Sequence, residues 1–138
     1  MLVAENMRDV LCAAVSTGSF PENAEALSSA LKNYIQLNGQ SVGSTISYTL
    51  SPCDGIGFTS LIDKASPKGV ADDFISTGLA TELATSTKVI PASHGVQTVP
   101  MSFDTSAKVS DLSKLDDYRD VWLEISKAII KYLKPEIL

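Results

Sequence analysis

The chain is short of the residues that carry most protein chemistry. It holds one histidine, two cysteines, one tryptophan and two arginines. His94 sits in Ala92-Ser93-His94-Gly95, whose composition predicts an exposed turn, and no Ser–His–Asp or Cys–His set is legible around it. Cys12 and Cys53 lack a CxxC spacing and a neighbouring histidine, so no zinc set forms on paper. Cys12 falls on the apolar side of a helix and reads as a small buried hydrophobe, and the spacing gives a disulfide between the two no support. Lysine and arginine are scattered except near the C-terminus, which leaves no electrostatic footprint for nucleic acid. No apolar run nears the roughly 20 residues that cross a bilayer, so no membrane partner is expected. At the N-terminus Glu5, Arg8 and Asp9 break the apolar stretch and no basic segment precedes it, so an amphipathic helix is expected there instead of a signal peptide.

What remains is enough for one core. The 138 residues are 44% hydrophobic, the measure of a soluble globular domain. Charged residues make up only 20% and sum to −5, a polar surface with little charge. The pattern predicts a single α+β domain over 1–138, about four helices packed on a small, mainly antiparallel sheet.

The clearest local unit runs from Pro21 to Leu50. Leu27, Ala30, Leu31, Tyr34 and Ile35 share one helical face, and Asn38-Gly39 is expected to stop the helix through a left-handed residue. A strand follows, with Ile46, Tyr48 and Leu50 alternating against Thr45, Ser47 and Thr49. Ahead of it, Leu2 to Thr17 forms a first helix ending at Gly18, antiparallel or steeply crossed to the second. After the Asp54-Gly55 turn, Gly57–Ile62 reads as a second strand. Ser66-Pro67 opens a third helix with Val70, Ala71, Phe74, Ile75, Leu79 and Leu83 on its buried stripe. Gly78 weakens that helix by about 1 kcal/mol relative to alanine, which a close approach would explain. Lys88–Pro91 and Val96–Phe103 are extended, and Pro100 sends the latter to a sheet edge. The last helix spans about Asp111 to Lys134, with Ser110 as N-cap, acids in its front half, lysines behind, and Pro135 as its stop. The tail Glu136-Ile137-Leu138 is expected to dock on a neighbour. Leu27–Ile35 and Ile125–Leu133 echo one another in pattern, as two amphipathic helices of similar composition do.

No residue emerges as catalytic, cofactor-binding or metal-binding, so no cofactor and no enzymatic activity are expected. The pairs Asp72-Asp73 and Asp116-Asp117 point about 100° apart on a helix and make no cation site alone. Asp54-Gly55-Ile56-Gly57-Phe58 lacks the lysine and the spacing of a phosphate loop. Trp122 lies on an apolar stripe and belongs to the core.

The segment from Glu25 to Ile35, EALSSALKNYI, followed by a Gly/Ser/Thr-rich strand, resembles a pattern in small structural proteins of tailed bacteriophages; the likeness covers about Glu22–Leu50. The resemblance implies a virion component: a neck, tail, baseplate or capsid-associated subunit, assembled in the host cytoplasm. It would be a homo-oligomer in contact with its own copies and other virion proteins. The contact elements expected are the strand edge near Val96–Phe103, the loop Ser51–Ser60 and the apolar tail. A small bacterial ligand-binding or regulatory module is the alternative reading.

Overall fold

The computed structural model describes residues 1–14, 20–40, 67–84 and 86–138. The expected strands at 45–50 and 57–62, Gly18, Cys53, the loop Ser51–Ser60 with its glycines, and the Ser66 cap lie outside the described residues.

Among the described residues the architecture is α+β, with four helices and a two-stranded antiparallel sheet. Helix α1 is Ala4–Ala14 and α2 is Phe20–Asn38. Helix α3 covers 67–83 in three parts: an α segment Pro67–Asp73, a π segment Phe74–Leu79 and an α turn Ala80–Leu83. Strands β1 (Thr87–Ala92) and β2 (Gly95–Pro100) follow, and α4 is Tyr118–Leu133.

The core lies among the helices. Met7 and Leu11 of α1 meet Val121, Trp122, Ile125 and Ile129 of α4 in one buried cluster, joined by Leu27, Leu31 and Ile35 of α2. The echoing segments bury equivalent positions, Leu27, Leu31, Tyr34 and Ile35 against Ile125, Ile129, Tyr132 and Leu133. Helices α1 and α2 run antiparallel, since Tyr34 near the end of α2 reaches Val3 ahead of α1: its hydroxyl accepts from the Val3 N–H at 2.9 Å and donates to the Val3 carbonyl at 3.0 Å. Cys12 is a free thiol that packs against the core from the apolar side of α1, half-buried instead of buried.

Helix α3 buries Ala71, Phe74, Ile75, Leu79 and Leu83 as expected, but its middle is wound differently. In a straight α-helix each four-residue step drifts by about 40°, so Leu79 and Leu83 would slide off the face set by Ala71. The wider π turn, with i→i+5 bonding, brings them back. Gly78 lies within that turn.

Three expectations need correction. Helix α2 stops at Asn38 without a left-handed residue, because among the described glycines only Gly95 has a positive φ. The Asn38 side chain donates to the Tyr34 carbonyl at 3.0 Å and the Gly39 N–H to the Ile35 carbonyl at 2.7 Å, which satisfies the helix end. Helix α4 starts at Tyr118, not Asp111, and its cap is Asp117, not Ser110: the Asp117 carboxylate accepts the Arg119 N–H at 2.8 Å. Asp104 and Asp111 do the same for the N–H groups of Ser106 and Ser113, both at 2.9 Å. A carboxylate that offers a bond two residues ahead competes with the helix, and three such turns keep 104–117 irregular. Ala107, Val109 and Leu112 pin that segment to the core.

The third concerns the tail, which docks on its own chain. Ile137 is fully buried, and Leu138 exchanges two backbone hydrogen bonds with Gln40, each 2.7 Å. An alanine Cβ at Gly39 would lie 2.8 Å from Ile137 Cγ2, so glycine is what lets the tail seat there. The tail is therefore not the free interface element expected.

Candidate functional site

Among the described residues, the hairpin of β1 and β2 is largely exposed. Thr87, Val89, Ile90, Val96, Thr98 and Val99 are β-branched, which suits a pleated half-exposed surface. The strands pair from Thr87↔Pro100 to Ala92↔Gly95, leaving Ser93 and His94 as a two-residue turn. Gly95 closes it at φ 128°, a conformation that side chains rarely adopt. His94 is exposed at that tip, as the sequence predicted.

The register fixes which backbone groups are free. The Met101 N–H donates to the Ser86 carbonyl at 3.0 Å, continuing the ladder one step past Thr87↔Pro100. Bonded and non-bonded pairs alternate in an antiparallel ladder, so Lys88/Val99, Ile90/Gln97 and Ala92/Gly95 bond and the pairs between them face outward. Both prolines fall on outward positions: Pro91 on β1 and Pro100 on β2. Each outer edge keeps two outward N–H groups, from Thr87 and Val89 or from Val96 and Thr98, beside a proline that has none. Edge extension, expected near Val96–Phe103, is thereby blunted on both sides.

The two faces differ. One carries Lys88, Ile90, Gln97 and Val99; the other carries Thr87, Val89, Pro91, Val96, Thr98 and Pro100. The second has no charged residue. Five of its six residues are exposed, Val96 to 76%, and Val89 is half-buried.

The hairpin is fastened at its base. Lys88 Nζ donates to both oxygens of Glu136, at 2.8 and 2.7 Å, and the Ser102 N–H donates to Glu136 Oε1 at 3.1 Å. Burial pushes the Glu136 carboxyl up, but the Lys88 hydrogen bond, the Ser102 N–H and the Lys88 charge together outweigh it and hold it below the usual glutamate range. Phe103 stacks on Tyr132 with centroids 5.2 Å apart, and the Asp104 N–H donates to the Tyr132 carbonyl at 3.0 Å. Burial raises the Tyr132 phenol.

The other candidates stand apart. Asp72 pairs with Lys68 at 2.7 Å and accepts the Val109 N–H at 2.7 Å, tying α3 to the segment before α4, while Asp73 is exposed. Asp117 is a cap. Trp122 is fully buried, as expected. Among the described residues no three His, Cys, Asp or Glu side chains gather within reach of one metal ion, and no helix is long and apolar enough to cross a membrane.

Sequence reasoning missed the Glu136 fastening and the two-faced hairpin. The alternation of β-branched and proline residues over 87–100 held the signal for the second; nothing local marks the first. No family model, curated protein or solved structure matches this chain.

Proposed function

We propose that this chain is a structural or assembly subunit of a tailed-bacteriophage particle, acting by contact and without catalysis. In that reading it sits in the neck, tail, baseplate or capsid-associated layer, binding its own copies and other virion proteins. The observation that carries the contact part is the uncharged outer face of the hairpin, with Val96 76% exposed at its turn end. A face without charge can be covered by protein without stranding an ion, which is what an interface centre requires. The blunted edges favour face-on packing over strand addition. The phage assignment rests on the resemblance over Glu22–Leu50.

Light scattering on the purified full chain tests the contact reading, followed by binding to the particle proteins encoded beside it. An oligomer or a stable complex is expected, weakened about tenfold or more by Val96→Asp, which places a charge on that uncharged face. A chain that stays monomeric and binds none of those proteins overturns the proposal. A small molecule that co-purifies with such a monomer, seen by native mass spectrometry, favours the ligand-binding module instead.

A further inference from the structure

We infer that the Glu136 carboxylate is a latch that holds the β1–β2 hairpin to the helical body, so that the hairpin can swing as a unit while the helical core stays closed. The inference stands whether or not the assembly reading holds. One carboxylate fastens both strands, because Lys88 belongs to β1 and Ser102 lies two residues beyond the end of β2. Its side chain is 8% exposed and that of Lys88 29%, so the ion pair is shielded from water and screened little by salt. Among the described residues, Phe103 and Asp104 add ties to Tyr132 within one turn of Glu136, and the Ser86 N–H donates to the Leu83 carbonyl at 3.0 Å where the chain leaves α3, so the ties gather at the base of the hairpin. Among the described residues, neither strand makes more than a marginal contact with any helix.

The two attachments therefore differ in kind. The helices are joined by a continuous apolar cluster that does not involve Glu136. Among the described residues the hairpin is joined at one end, with a charge-assisted clamp at its centre, and a contact of that kind fails when one charge is removed. Within the hairpin the cross-strand bonds are local and independent of the clamp. Opening the latch then costs the docking bonds and spares both the ladder and the core, which is how a local cooperative unit behaves.

Amide hydrogen exchange by NMR on the full-length chain separates three sets of groups. The Ser102 and Asp104 amides report docking, the Ile90 and Val99 amides report the hairpin ladder, and amides of α1 and α4 report the core. In Glu136→Gln, which keeps the shape and drops the charge, the docking amides are expected to exchange about tenfold faster while the other two sets hold their rates. Lys88→Met should give the same pattern by removing the opposite charge, and Lys88→Arg should restore slow exchange, since a guanidinium keeps two bonds to the carboxylate. Docking amides unchanged in both Glu136→Gln and Lys88→Met overturn the latch. So does equal acceleration of all three sets, which would make Glu136 part of the cooperative core.

Discussion

Two glycines of this chain are needed for different reasons, and the same substitution tells them apart. At Gly39 a Cβ would stand 2.5 Å from the Ile35 carbonyl oxygen and 2.8 Å from Ile137 Cγ2. At Gly95 nothing lies within 4 Å, and only the positive φ resists a side chain. Gly39→Ala is expected to cost about 1–3 kcal/mol by overpacking, Gly95→Ala about 1–3 kcal/mol by backbone strain. Urea denaturation in an Ile137→Ala background distinguishes them. Removing the isoleucine relieves part of the Gly39→Ala penalty, whereas the Gly95→Ala penalty adds in full. Equal additivity for both would mean that the tail does not press on Gly39. The sequence marked the helix stop at Asn38-Gly39 correctly and mistook its cause. A close approach by a residue from the far end of the chain leaves no trace around position 39.

Among elements, α4 shows how local pattern and local chemistry disagree. Leu112 and Leu115 continue the apolar spacing of the helix upstream, which is why the sequence extends it back to Asp111. The three aspartates that turn the backbone two residues ahead, at 104, 111 and 117, decide otherwise. Ser110, expected to cap, instead donates its hydroxyl to Glu124 at 2.8 Å. Asp117→Ala should therefore destabilise the protein by about 1 kcal/mol, and Ser110→Ala should stay within about 0.5 kcal/mol of the parent, both by chemical denaturation. The reverse order would restore the longer helix. Strands β1 and β2, the stripe of α3 and the buried face of α4 were all legible from their periods of 2 and 3.6, although the second strand ends at Pro100 and not at Phe103. The π turn was not, since Phe74–Leu79 reads as ordinary helix until its drift is set against a neighbour.

At the scale of the whole molecule, five carboxylates point one way. Asp9 is lowered by the Arg8 hydrogen bond and by the charges of Arg8 and Arg119; Asp104 and Asp111 by Ser106 and Ser113; Glu124 by Ser110 and Lys127; Glu136 by Lys88 and Ser102 despite burial. A carboxyl lowered on folding contributes stability above its unfolded value, near 3.9 for Asp and about 4.3 for Glu, and loses it as pH falls through the folded value. Burial raises Cys12 and Tyr132 from ordinary values of 9.0 and 10.0, so their contribution is whole below those values and declines above them. Urea midpoints should thus be level from about pH 5 to pH 8, fall below about pH 4, and fall again above about pH 9. A midpoint that rises on acidification below pH 4 would contradict these pairings. The candidate site was only half legible at this scale. The hairpin strands and the exposed histidine turn could be read, but the Lys88–Glu136 clamp joins residues 48 apart, a distance at which sequence pattern says nothing.

The pairing of α1 with α4 has a consequence for how the chain reaches this state. Asp9 and Arg119, which form an ion pair across those helices, are 110 residues apart. Closing so long a loop costs entropy before any of the shared core can repay it, and each doubling of loop length adds about 0.6 kcal/mol. A core built this way forgoes the speed of bundles with neighbouring partners. Its refolding belongs on the order of milliseconds or slower, with the single tryptophan, Trp122 at the α1–α4 contact, as its intrinsic clock.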